Sequence, residues 1–590
     1  MRSRVLGLAV LAALIAALLA LPAAASAGDK NKPADTVFKN GYVYTVNPGA
    51  RVAQAVAVKD GTIKFVGPDA GVKAFIGPDT KVVDLGGRMM LPSFIDSHTH
   101  SGFTGSMLFS VQLYGLTSVS EYTAAVAAFA AANPTFPAIK GSGWSNTVVP
   151  GIGPLATDLD AVVSDRPVSI MSEDGHSYWV NTKALQLAGI TSSTPDPVGG
   201  KIERLPDGTP SGTLRETAAD LVNSKLPDYT VDQYKQGILF YQENVAGPLG
   251  ITSVFDPLLK VGSNTIKAYE ELAQAGLLTM RVRGALSLTP KDDLSTWLTA
   301  AKAERAKHTT PLFRTPAVKV FADGVVEGHT AYLKAPYADA AAYAHDPNYR
   351  GTPLWTPAAM AAAFTALDGA GFQIHIHAIG DAATTEVLDA LAYARKVNGA
   401  HDWRPGITHL QLVDPADYKR FAKLGVTAVP DPYWFEKDDY YTNLQLPYLG
   451  LPRADQEYPM KSFFDNGVLV ASASDFPVTI PPNPLFGIGV GVTRWAPFGL
   501  VHDYPAWPDP LGMLWPEEAV TVDQMIRSFT TNGAKANFLE KTTGSIQVGK
   551  SADLIVLDQN LFETSPDEIF YGSVLLTVFQ GRTLFDAGAF

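Results

Sequence analysis

Asp96-Ser97-His98-Thr99-His100 closes the apolar run Met89-Met90-Leu91-Pro92-Ser93-Phe94-Ile95 and places two imidazoles two residues apart. A run this apolar reads as a strand buried on both faces. At a strand end, side chains at i and i+2 point the same way, so the two rings can chelate a divalent metal, zinc above all. Taken alone, the pair reads equally well as two polar residues in a loop. Lys319 in VKVFADG, His377 in IHIHAIGD, His409 in GITHLQ and Asp475 in ASASDFP also sit in or just after apolar runs. The chain has no cysteine, which excludes disulfides, thiolate ligation, a cysteine nucleophile and a lipoprotein anchor. A metal must therefore be held by His, Asp, Glu or a modified Lys.

Those residues need a scaffold that gathers strand ends. The middle of the chain alternates apolar strand candidates with helical patterns, the signature of a parallel (β/α)8 barrel with its site at the strands' C-terminal ends. The expected strands are Met90 to Asp96, Gly250 to Asp256, Arg281 to Leu286, Ala317 to Phe321, Phe372 to His377, Gly406 to Leu410, Val426 to Val429 and Val468 to Ala473. An insertion of about residues 105–245 falls between strands one and two. It takes in the strand-like Val168-Ser169-Ile170-Met171 and a capping box, Ser118 to Glu121, opening an Ala-rich helix. Short strands are expected at both chain ends: Val37 to Thr45, Ala53 to Val58, Thr62 to Val66 and Lys81 to Asp84, then Ser545 to Val548, Ala552 to Leu557 and Ser573 to Phe579. Lys59-Asp60-Gly61-Thr62 is a hairpin signal. The expected fold class is thus α/β. A TIM-like barrel spans 89–540, and a small β-sandwich is assembled from 28–88 plus 541–590.

Residues 1–27 read as a signal peptide: Arg2 and Arg4, an apolar core from Leu6 to Leu21, and Ala25-Ser26-Ala27 for cleavage. This predicts an exported protein, periplasmic or extracellular, without a stable membrane anchor. The formal charge is −12 for the whole chain, and loss of the two leader arginines leaves −14. No basic run interleaved with aromatics occurs, so nucleic acid is not an expected partner. With 46% hydrophobic and 18% charged residues, the chain is globular rather than disordered.

The stretches LPSFIDSHTH, DGHSYWVNTKAL, GTLRETA, GITSVFDP, VKVFADG, HIHAIGDAA, ITHLQ, ASDFPV and GSIQVGKSADLIVLD, in this order from about residue 35 to 560, resemble the amidohydrolase superfamily. Within it they resemble the YtcJ-like branch, amidohydrolase family 3. Ser93 departs from the glycine common at that turn and touches no ligand. The resemblance implies that His98, His100 and Asp475 hold one metal. It implies that His377 and His409 hold a second, with Lys319 bridging as an N-carboxylated lysine. A lysine ammonium has donors only and repels a cation, whereas its CO2 adduct is a carboxylate. A single-metal site without the carbamate is the competing arrangement. A plain buried Lys319, paired with a carboxylate such as Asp323 or packed by its stem, is the bland one.

Other residues carry two readings each. His375 shares the face of His377 but sits deeper, which favours a core histidine over a ligand. Asp381 is expected to cap the following helix. His176 and Asn181 lie in the insertion; the resemblance brings His176 to the substrate pocket, against a loop hydrogen bond. Glu216 reads as either a pocket residue or a salt-bridge partner of Arg215. Tyr433, Trp434 and Phe435 wall a cleft or pack beneath it. The function implied is hydrolysis of a C–N bond, amide or similar acyl, in a small-molecule substrate by a metal-activated hydroxide. Asp475 would shuttle the proton, and His409 or His176 would steady the oxyanion. The alternatives are the same metal site acting on an ester, lactone or other bond, and an inactive extracytoplasmic binding or regulatory protein. Oligomeric state stays open, a homo-oligomer included.

Overall fold

The computed structural model describes residues 33–497 and 512–590, so the leader reading lies outside the described residues. The central sheet has eight strands, all parallel, in sequential order: β1 Phe94–Asp96, β2 Ile251–Leu259, β3 Arg281–Ser287, β4 Phe313–Phe321, β5 Gln373–Ala378, β6 Gly406–His409, β7 Thr427–Val429 and β8 Leu469–Val470. All eight expected barrel strands are therefore present, shifted by a few residues at their ends. Beyond the last paired residues, the two sheet edges meet. Ser97 N–H donates to Ser472 C=O at 3.1 Å, and Asp475 N–H donates to His98 C=O at 2.8 Å. These bonds join β1 to β8 at the C-terminal rim, which is the closure of a TIM-like barrel.

The run Met90 to Asp96 is not one strand. Met89–Pro92 pairs antiparallel with Leu554–Leu557 and parallel with Tyr42–Tyr44 in a different sheet, and only Phe94–Asp96 enters the barrel. Pro92 has no N–H to extend a ladder. At Ser93 the chain changes partners, donating its N–H to Asp553 C=O at 3.1 Å.

The two chain ends form two sheets. One orders Thr62–Gly67, Ala55–Lys59, Thr36–Lys39 and Lys81–Asp84; the other orders Arg582–Asp586, Val574–Phe579, Leu554–Leu557, Met89–Pro92, Tyr42–Tyr44 and Val52–Ala53. Phe38, Val56, Ile63, Leu554 and Val578 share the core between them. The expected strands Val37 to Thr45 and Ala53 to Val58 each split across both sheets. At the first split Asn40 takes φ +56°, and a Cβ on Gly41 would lie 2.3 Å from Leu85 Cδ1. Ser545 to Val548 is not a strand, although Ile546 N–H still reaches Thr45 C=O at 2.8 Å, and the edge strand Arg582–Asp586 was not foreseen. The Asp60-Gly61 hairpin forms as expected, with φ +49° and +70°.

The insertion builds its own six-stranded sheet, ordered Gly200–Arg204, Pro210–Glu216, Ser177–Val180, Val168–Ser172, Ile139–Trp144 and Val111–Gln112. Ser118 Oγ caps the helix Val119–Ala132 by accepting from Glu121 N–H, as its capping box requires. Among the described residues no helix is long and apolar enough to cross a membrane.

One buried ion pair ties barrel to sandwich. Arg281 at the start of β3 donates to Asp553 Oδ2 at 2.6 Å and to Ser551 Oγ at 2.9 Å, and its guanidinium lies over the Phe579 ring. Asp553→Ala strands a buried guanidinium and is expected to cost about 3–5 kcal/mol, read by urea unfolding. A loss below about 1 kcal/mol, the range of an exposed pair, would show that the pair does not lock the two layers.

Candidate metal centre

The barrel rim brings His98, His100, Lys319, His377, His409 and Asp475 into one cluster. His98 and His100 follow β1, Lys319 and His377 lie near the ends of β4 and β5, His409 ends β6 and Asp475 follows β8. The register sets neighbours side by side: Lys319 opposite His375, and Ala378 opposite His409. His409 and Asp475 take φ +73° and +53°, left-handed values that cost a non-glycine residue about 1–3 kcal/mol. Backbone bonds hold them there, Leu410 N–H to Ala378 C=O at 3.1 Å and Asp475 N–H to His98 C=O at 2.8 Å. Asp96 accepts from both Ser474 N–H and Ser474 Oγ, pinning the β8 end to the β1 end.

Ligand atoms of His98, His409 and Asp475 all lie within 4.8 Å of one another. Asp475 Oδ1 is 3.3 Å from His98 Nε2 and 3.0 Å from His100 Nε2, yet no donor is aligned on it, and it is buried. His377 donates from Nε2 to Gly324 C=O at 3.0 Å, so its buried, partnerless Nδ1 carries the lone pair. His409 Nδ1 is 2.9 Å from Asp431 Oδ2, leaving Nε2 as the acceptor. Buried acceptors without donors on His377 and Asp475, beside the free Nε2 of His409, are what a cation needs and what a protein interior otherwise avoids. The donor set fits a divalent metal, and its nitrogen and oxygen composition fits the His/carboxylate sites of zinc.

Burial sets the protonation. It pushes His98 and His377 well below the ordinary imidazole range and His409 down to about 3, so these rings are neutral. It also pulls Lys319 down to about 7 against the raising influence of Asp475 and Asp431. A neutral amine is the form that reacts with CO2. Burial opposes the charge of Asp475, but His100 above all, with Nε2 at 3.0 Å, holds its carboxyl well below the usual carboxylate range.

Lys319 does not pair with Asp323. That carboxylate accepts from Ile379, Gly380 and Tyr332 N–H at 3.0, 2.8 and 2.9 Å, while Lys319 Nζ lies 3.4 Å from His98 Nε2 and over the Phe321 ring. His176 reaches the cluster from the insertion: its ring centroid is 5.0 Å from that of His377, and its Nδ1 is 2.9 Å from Glu216 Oε2. Glu216 is thus no partner of Arg215, which pairs with Glu203 at 2.6 Å; Thr330 Oγ1 donates to Glu216 at 2.7 Å. Asn181 caps the helix Thr182–Ala188 and stays outside the site. Asp381 lies in the first turn of Asp381–Asn398 and accepts from Lys334 N–H at 2.8 Å, without capping that helix as expected. Tyr433 and Phe435 are buried, whereas Trp434 stacks on His409 at 5.6 Å and 18° and donates to Thr479.

Sequence reasoning missed Asp431. It lies two residues beyond β7, the same rim position as the other site residues, and that placement was its available signal. Gly324 contributes through a carbonyl, which no residue type announces.

The amidohydrolase family profile matches residues 81–585. Over 94% of this chain and 92% of its own length, the Protein LONG AFTER FAR-RED 3 of Arabidopsis thaliana is 30% identical. The putative amidohydrolase YtcJ of Bacillus subtilis (strain 168) is 28% identical over 93% of this chain and 99% of its own. The N-substituted formamide deformylase of Arthrobacter pascens is also 28% identical, over 93% and 97%. An uncharacterized metal-dependent hydrolase from Pyrococcus horikoshii OT3 shares the fold with a TM-score of 0.67 at 22% identity, covering 90% of this chain and 99% of its own.

Burial disfavours charge on His176, but Glu216, with Asp174 and Asp475 further off, outweighs it and raises the imidazole to about 9. A folded-state value above the ordinary 6.5 stabilises fully below pH 6.5, and the stabilisation is lost as pH rises through about 9. In metal-free protein, Glu216→Gln is therefore expected to lower unfolding free energy by on the order of 3 kcal/mol at pH 6 and by much less at pH 10. A difference that stays constant across that range would show that His176 is uncharged.

Proposed function

The chain belongs to the amidohydrolase family, and from that premise we propose that it hydrolyses a C–N bond, amide or similar acyl, in a small-molecule substrate. The observation that carries this reading is the convergence of His98, His409 and Asp475 ligand atoms within 4.8 Å at the barrel rim, with buried, partnerless acceptors on Asp475 and on the neighbouring His377. His98, His100 and Asp475 would hold one divalent ion, zinc by its preference for His and carboxylate. His377 and His409 would hold a second, with Lys319 between them as its carbamate. When bound, such an ion supplies Lewis acidity and a hydroxide nucleophile at neutral pH.

The chain's own groups supply the rest. Asp475, ionised, takes the proton from the attacking water and delivers it to the leaving nitrogen. His176, held through Nδ1 by Glu216, has Nε2–H to donate to the carbonyl oxygen as negative charge grows there. His409 is neutral with its Nδ1–H on Asp431, so its Nε2 has no hydrogen to donate and the oxyanion role falls to His176. The N-substituted formamide deformylase among the relatives supports the C–N assignment. The arginine-led apolar leader supports export before the enzyme acts.

The test is His98→Ala combined with His100→Ala. Metal content by elemental analysis and hydrolysis of a panel of N-acyl and N-formyl compounds are expected to fall to background while circular dichroism stays that of the wild type. A double variant with full activity would place the chemistry elsewhere. Wild-type protein that takes up no metal would overturn the reading altogether.

A further inference from the structure

His375 is buried one pleat below His377 on β5, and the reaction outlined above gives it nothing to do. Its surroundings are nevertheless specific. His375 Nε2 lies 2.7 Å from His98 Nδ1, the imidazole planes tilted by 40° with centroids 4.9 Å apart. Phe255 of β2 stacks on the other side of the ring at 4.5 Å and 29°. Room for the ring comes from Gly406 of β6, where a Cβ would come within 3.1 Å of His375 Nδ1. Three strands thus fix one ring with its Nε2 against one nitrogen of His98.

Two nitrogens at 2.7 Å share one proton, and the rest of His98 decides whose it is. Lys319 Nζ is 3.4 Å from His98 Nε2 and is a donor. A donating Lys319 makes Nε2 the acceptor, and Asp475 Oδ1, 3.3 Å from the same Nε2, forms no aligned hydrogen bond with it. Nε2 therefore bears the lone pair, Nδ1 bears the hydrogen, and His375 Nε2 accepts it.

We infer that His375 is a positioning residue: it holds His98 as the Nδ1–H tautomer, with the Nε2 lone pair turned toward Lys319, Asp475 and the metal. Asp431 does the corresponding work for His409, and Gly324 C=O does it for His377. A neutral acceptor in place of a carboxylate suits a ring packed between Phe255 and Gly406, where a second buried charge would be costly. This inference rests on the metal-site reading above, and its test separates the two.

The measurement is zinc affinity by chelator competition on the full-length protein, with unfolding of the metal-free protein followed in parallel. His375→Phe keeps the ring volume and the stack on Phe255 but cannot accept a hydrogen bond; it is expected to weaken zinc binding 10–100-fold. His375→Gln offers Oε1 to the Nδ1–H and is expected to recover most of that loss. Unchanged affinity in both variants, with only metal-free stability lowered, would make His375 a packing residue and overturn the inference. Should the variants fold poorly, the proton-detected nitrogen spectrum of the zinc-loaded wild type decides: a protonated His98 Nδ1 supports the inference and a protonated Nε2 overturns it. Wild type without zinc affinity refutes the metal site itself, a result distinct from either variant outcome.

Discussion

Burying several titratable groups at one point of a dry barrel is the constraint on which the structure turns. Charged together, the imidazoles around Asp475 would repel one another at a few ångströms in a medium that screens poorly. The protein answers by keeping His98, His377 and His409 neutral and giving each a fixed hydrogen-bond partner on the side away from the cluster. What is left facing inward is a set of lone pairs around one ionised carboxylate. Such a set is destabilising when empty and stabilising around a cation, so the cost of burial becomes affinity for a metal.

The two outer layers serve that rim from opposite ends. The sandwich grips the bottom of the barrel through Arg281 and Asp553, and through Met89–Pro92, which passes from its sheet directly into β1. The chain segment that carries His98 and His100 is thereby anchored on both sides before it reaches the rim. The insertion acts at the top. Glu216 ends one of its strands beside the start of the neighbouring strand Ser177–Val180, so this antiparallel strand pair presents His176 and its carboxylate partner together. Thr330, in the loop after β4, then ties Glu216 to the barrel. His176 from the insertion is in this way registered against the His and Asp cluster of the barrel rim.

How much of this was legible depends on whether the information is local. The barrel strands and the six rim residues could be read because an apolar run followed by a polar residue of the right type is a local pattern, and eight such runs in order have one economical closure. Val37 to Thr45 and Ala53 to Val58 read as continuous strands because only Lys39-Asn40-Gly41 and Gln54 interrupt their apolar residues. That they cross from one sheet to the other depends on the left-handed turn at Asn40 and on what packs over Gly41. Partners were the least legible. Glu216 was weighed against Arg215, its sequence neighbour, yet it bonds His176 across a strand pair, and Arg215 finds Glu203. Asp431 was overlooked because a lone aspartate after a short strand is common, and only its contact with His409 distinguishes it.

The same distinction accounts for Lys319. Its position in an apolar strand was visible, but no sequence pattern says whether a buried lysine has a counter-ion. Asp323, four residues on, was the natural candidate, and three backbone N–H groups occupy it instead. Asp475 and Asp431 act on Lys319 only at a distance, and burial outweighs them. The amine therefore loses its proton near pH 7, far below the ordinary lysine range, among imidazoles that cannot neutralise a charge on it. Of the states open to a lysine there, an ammonium adds repulsion to a site already short of anions. The carbamate proposed above would instead add negative charge beside the lone pairs around Asp475, which ties the missing counter-ion of Lys319 to the same proposal.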